Sequence, residues 1–180
     1  MIDKNLTTFV IKLNIRKMKE LIVVRHAKSS WEHVGLSDHE RPLLEKGKKR
    51  TKKIISFLQD QKTKPDFILT SSALRARETA YYMAMGLGVD KGLVKVDPAL
   101  YQADADQLLG QFDDLSDTFN TVMLVGHNPA LTNFVNFFLV PPIDWLPTSG
   151  VVALQFDTEH WDEIRTAQRS VRFVIFPKLI

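Results

Sequence analysis

The sequence of 180 residues contains no cysteine. This absence excludes disulfide bonds, thiolate nucleophiles and cysteine-ligated zinc, and it is compatible with the reducing cytoplasm in which we expect the protein to act. No apolar run approaches the ~18 residues that a membrane-spanning helix requires. The short run 9–11 is broken by Lys12, so we also expect neither a signal peptide nor a membrane partner.

The sequence also lacks a strong charge of either sign. Its net charge of +3 and pI near 9.1 suit an anionic substrate, but they are too weak to indicate a nucleic-acid partner. The chain contains no phosphate-binding P-loop, no dinucleotide-binding glycine motif and no His-Glu-x-x-His zinc motif. Three polar residues, His33, Asp38 and His39, are of the types that bind metals, but a polar lid loop explains them better.

The composition is that of an ordinary globular domain, with 44% apolar and 25% charged residues. We expect residues 18–180 to form a single domain and residues 1–17 to be a weakly attached N-terminal extension, because Met18 directly precedes the first strong strand. The rival interpretation is an extra edge strand, since Phe9, Ile11 and Leu13 alternate with other residues.

Apolar runs alternate with helical patterns along this domain. Strands are predicted at 21–24, 67–69, 94–96, 121–125, 151–156 and 171–175, and helices at about 44–60, 73–85, 104–115 and 129–138. This alternation predicts an α/β fold, a three-layer α/β/α sandwich around a mostly parallel sheet. Three helix starts are predicted as well: Pro42 near the first position of its helix, residues 70–72 as a cap and Asn128 as a cap.

Basic and imidazole side chains follow the strongest strands. Arg25 and His26 end the first strand and His127 follows the fourth, while Arg75 lies in the first turn of the helix that follows the second strand. Ligands of open α/β sheets bind at the carboxyl ends of the strands, next to helix N-termini that favour anions. Guanidinium groups match phosphate oxygens, so these residues predict a phosphoryl site with a histidine nucleophile and no need for a metal or cofactor.

The same segments resemble a known family. Arg25-His26, the run 71–79 and Gly126-His127 together are similar to the histidine phosphatase superfamily, although Ala27 stands where that family usually has glycine. Segments 25–31 and 35–43 resemble the SixA-type phosphohistidine phosphatases more closely, as does the closing Pro-Lys-Leu at 177–179. The resemblance implies a phosphoglycerate mutase-like fold, a phosphate ion in the pocket and a phosphohistidine-bearing protein as substrate.

The resemblance also implies roles for individual residues. His26 would accept the phosphoryl group, Arg25 and Arg75 would clamp its oxygens, and His127 would donate to it from the opposite side. Arg41 would either contact the substrate or anchor its loop through a salt bridge. Arg77, two residues after Arg75, is interpreted as part of a solvated helix face.

One expected carboxyl group is missing. Mutases and phosphomonoesterases of this superfamily carry a glutamate that protonates an alcohol leaving group, but here Leu100 is followed by Tyr-Gln-Ala. An alkoxide leaves poorly without a proton donor, whereas the imidazole of a phosphohistidine leaves more easily. The missing glutamate therefore favours a P–N substrate. Other carboxyl groups remain alternative acids: Asp104, Asp106, Asp38 and Glu40.

Three other functions are compatible with parts of the sequence. A phosphomonoesterase acting on a small metabolite is the second enzymatic interpretation, and a non-catalytic phosphoprotein-binding module is the third. A nucleic-acid binder is less consistent, because the lysine-rich run 46–53 has no aromatic stacking platform. That run predicts a solvated helix face or a docking patch for an acidic partner, and residues 28–41 are a candidate lid.

Overall fold

A computed structural model describes residues 18–31 and 35–180 of the chain. The predicted extension at 1–17 lies outside the described residues, and so does His33, so the boundary at residue 18 stays a prediction. The strands are β1 (Lys19–Arg25), β2 (Phe67–Ser71), β3 (Val94–Asp97), β4 (Thr121–Gly126), β5 (Val151–Phe156) and β6 (Arg169–Ile175). The helices are α1 (Glu45–Asp60), α2 (Leu74–Leu87), α3 (Ala105–Gly110) and α4 (Ala130–Asn136), with short 3₁₀ turns at Asp38–Glu40, Lys91–Leu93 and Pro98–Tyr101.

The six strands form one sheet in the order β3-β2-β4-β1-β5-β6. β3, β2, β4 and β1 are parallel to one another, whereas β5 is antiparallel to both of its neighbours, β1 and β6. The predicted α/β sandwich with a mostly parallel, phosphoglycerate mutase-like sheet is therefore confirmed. The antiparallel pair is the predicted closing hairpin of the last two strands.

Strand β1 shows why a helix layer covers each face of the sheet. Its side chains alternate: Leu21 and Val23 pack with the core that includes α3 and α4, while Ile22 and Val24 pack with the core that includes α1 and α2. All four are fully buried. Burying each aliphatic side chain contributes about 1.5–3 kcal/mol, so β1 is held from both sides.

The helix ends differ from the sequence predictions in three places. Pro42 lies before α1, whose N-cap is Leu44, and α3 ends at Gly110 rather than near residue 115. The N-cap of α4 is Pro129, because the side chain of Asn128 donates instead to the carbonyl of Leu146 (2.9 Å). At Asn128, a tertiary hydrogen bond outweighs the local preference for capping a helix.

The register of the parallel strands aligns their carboxyl ends. Arg25 of β1 pairs with Gly126 of β4, and Thr70 of β2 pairs with Val125 of β4. The residues that follow these pairs, including His26 and His127, therefore leave the sheet at the same edge. Within the described residues, no helix has the length and apolarity needed to cross a membrane.

Candidate active site

His26 lies directly beyond β1 and is only 7% exposed. Its main-chain N–H donates to the carbonyl of Gly126 (3.0 Å), which continues the sheet pairing by one residue. The ring atom Nδ1 lies 2.8 Å from the carbonyl oxygen of Ala27. Because a carbonyl can only accept, this contact places the ring proton on Nδ1 and leaves a lone pair on Nε2.

The surroundings of His26 keep its ring neutral. Burial, followed by the neighbouring His127 ring, lowers its pKa to about 3, and the charges of Arg75 and Arg25 act in the same direction. At neutral pH, Nε2 is therefore an unprotonated nitrogen. The arrangement has the properties that a nucleophilic imidazole needs.

His127 follows β4 and faces His26, with ring centroids 5.0 Å apart. Burial, with the charge of Arg75 next in importance, also lowers its pKa to about 3. Its Nε2 lies 2.8 Å from the hydroxyl oxygen of Ser71, and its buried Nδ1 has no hydrogen-bond partner among the described residues. If the Ser71 hydroxyl donates to Nε2, the ring proton lies on Nδ1 and this buried donor is left for an acceptor.

The prediction that residues 70–72 cap α2 with their side chains is wrong. The N-cap of α2 is Ala73 and makes no side-chain cap bond. The hydroxyl of Ser71, the last residue of β2, accepts only a long 3.4 Å bond from the N–H of Ala73, and its shorter contact is with His127. Ser71 thus orients an imidazole rather than a helix end.

The two predicted phosphate-clamping arginines flank His26. Arg75, which is 5% exposed, lies in the first turn of α2 and donates from Nε to Nε2 of His26 (3.3 Å). Arg25 donates from Nη1 to the carbonyl of Leu146 (2.9 Å), and its buried Nε has no partner among the described residues. The structure thus gathers all four strongly predicted residues at one edge of the sheet.

Asp38 covers the other end of the Arg75 guanidinium. Arg75 donates from Nη1 to the main-chain oxygen of Asp38 (2.5 Å) and from Nη2 to its carboxylate (2.9 Å). The hydroxyl of Tyr101 donates to the same carboxylate oxygen (2.6 Å). The Tyr101 ring also packs edge-on against His39 and His127, so it joins the Asp38 loop to the histidine pair.

Arg41 makes the loop-anchoring contact that was one of its two predicted roles. Its Nε lies 3.0 Å from the carboxylate of Asp38, and its guanidinium lies over the ring of Trp31, 3.4 Å from the centroid. Arg41 also lines the cavity that opens at His26. The anchoring contact is therefore present, and contact with a substrate stays a prediction.

Two further residues of the segment 71–79 support this geometry. The hydroxyl of Thr79 donates to the carbonyl of Arg75 (2.7 Å) and accepts from the N–H of Ala27 (3.0 Å), so it joins α2 to the residue after the nucleophile. The carboxylate of Glu78 accepts from the N–H of Leu43 (2.8 Å). Arg77 is half-buried, and its buried Nε has no hydrogen-bond partner among the described residues.

None of the four candidate acids forms a hydrogen bond with His26 or His127 in the described part of the chain. Hydrogen bonding from Tyr101 and the charge of Arg75 lower the pKa of Asp38 against the effect of burial, so it is a carboxylate at neutral pH. Hydrogen bonds from Ser37 lower the pKa of Glu40. Asp104 caps α3 by accepting from the N–H of Gln107 (2.8 Å), while Asp106 is exposed on that helix.

Sequence reasoning missed the roles of Ser71 and Tyr101. Ser71 belonged to a recognised motif, but a serine before a helix is normally interpreted as a cap. Tyr101 lies in the segment where the glutamate was expected, and no sequence pattern indicates that it contacts Asp38. The register of β2 against β4, which brings Ser71 beside His127, would have been needed to identify the first.

Taken together, two neutral imidazoles and the guanidiniums of Arg25 and Arg75 converge on one small volume. An anion placed there would meet several donors and a free nitrogen lone pair. Such a constellation can bind a phosphoryl group and accept it on nitrogen.

Comparison with known sequences agrees with this geometry. Residues 21–130 match the sequence profile of the histidine phosphatase superfamily (branch 1). An uncharacterized chloroplastic protein of Arabidopsis thaliana is 29% identical over 153 residues, which cover 81% of this chain and 70% of that protein.

Solved structures share the fold. A candidate phosphohistidine phosphatase SixA from Agrobacterium tumefaciens is 25% identical with a TM-score of 0.72, covering 88% of this chain and 99% of that chain. The protein histidine phosphatase SixA complexed with tungstate gives 0.74 at 20% identity, covering 89% and 98%. A mycobacterial glucosyl-3-phosphoglycerate phosphatase gives 0.61 at 15% identity, covering 86% and 97%.

Proposed function

Because this chain belongs to the histidine phosphatase superfamily (branch 1), we propose that it is a SixA-type phosphatase that removes phosphate from phosphohistidine in a protein. The observation that carries the proposal is the state of His26. A neutral ring with its proton fixed on Nδ1 presents the Nε2 lone pair beside two guanidiniums. The likeness to SixA structures supports the choice of substrate class.

In the first step, Nε2 of His26 attacks phosphorus and the P–N bond of the substrate breaks. A substrate ring that is protonated on its other nitrogen leaves as neutral imidazole. The His26 ring becomes a phosphorylated imidazolium, whose Nδ1–H still donates to the carbonyl of Ala27. Arg25 and Arg75 stabilise the negative charge on the phosphoryl oxygens.

In the second step, a water molecule attacks the phosphorylated His26. The Nε2–P bond breaks, inorganic phosphate forms, and the second proton of the water passes to phosphate or solvent. The buried Nδ1 of His127 is the unpaired ring atom that a phosphoryl oxygen would satisfy. Neither step requires a cofactor.

The carboxyl groups support a P–N substrate over an alcohol ester. Asp38 is held as a carboxylate by Tyr101 and Arg75, and Asp104 is used as a helix cap. An alcohol leaving group would need a protonated acid, whereas an imidazole leaving group would not. Among the described residues, no carboxyl group forms a hydrogen bond with His26 or His127, which supports phosphohistidine over an alcohol ester.

A small phosphorylated metabolite is the second candidate substrate, on a specific observation. A cavity of about 310 Å³ adjoins His127 and is lined by Asp104, Gln102 and Asn133, among others. Such a cavity can hold a polar leaving group, and the similar fold of a sugar-phosphate phosphatase supports this alternative. Rates measured with a phosphohistidine protein, phosphoramidate and sugar phosphates would separate the two.

Substitution of the nucleophile tests the reaction itself. We expect His26→Ala to abolish hydrolysis of phosphoramidate and to yield no acid-labile phosphoenzyme with labelled substrate, while its melting temperature stays near that of the wild type. The matched control is His160→Ala, because His160 is exposed and distant from the sheet edge. Near-normal hydrolysis by His26→Ala would refute the nucleophile, and wild-type protein that binds phosphoprotein without turnover would indicate a binding module.

We also propose that the reaction takes place in the cytoplasm. The sequence contains no cysteine whose function would need an oxidising compartment. Fractionation of cells that express the tagged full chain tests this location. Recovery in an organelle, as the name of the chloroplastic relative raises for that protein, would contradict it.

A further inference from the structure

A groove opens at His26 and shares no lining residue with the cavity beside His127. It consists of two adjoining cavities of about 290 and 340 Å³, which share Arg50 and Thr148. The first opens at His26, and the second ends at Phe176. We call this surface the basic groove, and its charged and aromatic lining is Arg25, Lys28, Trp31, Arg41, Arg50, Trp145, Phe176 and Lys178.

All the charged side chains in the basic groove are cationic. In the part of the chain that the structure describes, no carboxylate lines either cavity, and Lys28, Arg50 and Lys178 form no ion pair. The cavity beside His127 differs, because it is lined by Asp104 and by no lysine or arginine. Positive charge is therefore concentrated along one direction from the nucleophile.

The walls of the groove are fixed to the active site. Gly47 of α1 lies so close to the loop after β1 that an added Cβ would lie 2.3 Å from the carbonyl oxygen of Lys28. The N–H of Leu44 donates to that same oxygen (2.9 Å). Arg50 lies one helical turn beyond Gly47, on the same side of α1, so the close approach sets its position beside Lys28.

The far end of the groove is apolar. Trp145, Phe176 and two prolines line the second cavity, and Trp145 is about half exposed. The guanidinium of Arg25 lies 5.2 Å from the centroid of the Trp145 ring, which links this end to the phosphate-clamping residues. An occupant would therefore carry negative charge near His26 and an apolar side chain farther away.

Resting on the proposed function, we propose that the basic groove binds an acidic segment of the phosphorylated protein substrate, beside the phosphohistidine. An imidazole leaving group is too small to reach Arg50 and Lys178, whereas several residues of polypeptide would. A concave groove does not fit the flat surface of a lipid bilayer. Arg41 covers one face of the Trp31 ring, which is otherwise 79% exposed, so binding of a nucleic-acid strand is an outcome that the experiments below distinguish.

Peptides test this assignment. The assay measures hydrolysis of two synthetic 12-residue peptides by the full chain. Each peptide has one central phosphohistidine; aspartate and glutamate flank it in the acidic peptide, and serine and glutamine flank it in the neutral peptide. At low ionic strength we expect kcat/KM to be about tenfold higher for the acidic peptide, because charge complementarity speeds association. We expect about 0.5 M salt to remove most of this preference, since screening weakens exposed charge pairs.

Charge reversal locates the effect. Arg50→Glu and Lys178→Glu should each reduce the preference several-fold, and together abolish it, with Arg50→Gln as the milder variant if charge reversal impairs folding. Lys52→Glu is the matched control, since Lys52 is exposed on the same helix but lies outside the groove. We expect that control to retain the tenfold preference.

The outcomes separate the two proposals. Hydrolysis of neither peptide by the wild type would refute the proposed function, whatever the groove binds. Hydrolysis of both without preference, or a preference that survives the double variant, would overturn the groove assignment alone. Binding of the wild type to single-stranded RNA or to anionic phosphatidylserine vesicles is measured as well. If the double variant loses that binding but keeps the preference for the acidic peptide, the groove assignment is also overturned.

Discussion

Four residues of the candidate active site are fixed by the sheet, whereas two others are fixed only through a loop. Arg25, His26, Ser71 and His127 lie at or just beyond strand ends whose register places them side by side. Asp38 and Arg41 reach the site from a 3₁₀ turn and its following residue. The first group contains the proposed nucleophile, and the second places the carboxylate of Asp38 beside Arg75.

The two groups differ in how firmly they are held. In the strand-end group, His26 is 7% exposed and Ser71 is fully buried. The side chain of Asp38 is 44% exposed, although its partner Arg75 is only 6% exposed. Exposed ion pairs contribute about 0–1 kcal/mol, so the loop is the more weakly held of the two groups.

Removing a residue of the strand-end group should have the larger effect. We expect His127→Ala to lower kcat/KM for phosphoramidate about 10²–10³-fold, the range found when one donor to a developing charge is lost. Steady-state kinetics measure this loss. The fold should persist, because His127 is only partly buried and its main chain keeps its sheet contacts.

Ser71→Ala sharpens that result. The substitution keeps His127 but removes the hydroxyl 2.8 Å from its Nε2. If the Ser71 hydroxyl fixes the tautomer of His127, kcat/KM should fall about tenfold. Wild-type kinetics in both variants would show that the strand-end histidine pair is structural. A loss in His127→Ala with none in Ser71→Ala would leave the donor role intact and refute the orienting role of Ser71.

Removing the loop carboxylate should have a moderate effect. We expect Asp38→Ala to lower kcat/KM about tenfold, since Arg75 and Tyr101 each lose a charge-assisted hydrogen bond to it and about 1.4 kcal/mol corresponds to tenfold. Asp38→Asn retains an acceptor at the same position and should lose less. Inhibition by tungstate measures anion affinity separately.

The opposite outcome would reverse the interpretation of the loop. Tighter binding of tungstate in Asp38→Ala with unchanged kcat would mean that Asp38 competes with the substrate for Arg75 rather than positioning it. The strand-end group would then take part in catalysis, whereas the loop would block the anion site. Asp38→Asn distinguishes charge from hydrogen bonding in either case.

Tyr101→Phe should have a smaller effect. The substitution removes one hydrogen bond to Asp38 and keeps the ring against His39 and His127. A net loss of about 0.5–1.5 kcal/mol per hydrogen bond predicts a roughly threefold reduction in kcat/KM. Tyr81→Phe is the control, because Tyr81 is exposed on α2; an equal loss there would show a non-specific effect.

The strand-end group could be predicted from the sequence because its position follows from periodicity. Apolar runs that end abruptly at Arg25-His26 and at Gly126-His127 mark the carboxyl ends of buried strands, and those ends meet in a parallel sheet. The six strands were predicted with small errors at their ends, as β2 and β6 illustrate. Burial on both faces makes such patterns unambiguous.

The loop group could not be predicted in the same way. Asp38 and Tyr101 are 63 residues apart and meet through one hydrogen bond, which leaves no local pattern. Hydrophobic periodicity carries no information about such polar, long-range pairs. The caps failed for a related reason: Ser71 and Asn128 have the correct residue types, but tertiary partners outcompeted the helix ends.

The smallest expected change is in the titration of the two central histidines. Ring resonances of His26 and His127, followed by NMR, should not shift between pH 5 and pH 8, because burial lowers the pKa of both to about 3. The internal control is His160, whose pKa is raised by Asp117, so it should titrate above its ordinary value. Resonances are assigned with single His→Ala variants.

The lowered pKa values of His26 and His127 also predict how the free energy of unfolding changes with pH. In the unfolded chain a histidine takes up a proton near pH 6.5, whereas the folded protein keeps His26 and His127 neutral down to about pH 3. The unfolded state therefore binds more protons in this window, and the free energy of unfolding falls as the pH drops through it. A midpoint near 6.5 for His26 would show that the strand-end group is as open to water as the loop, and the contrast between them would disappear.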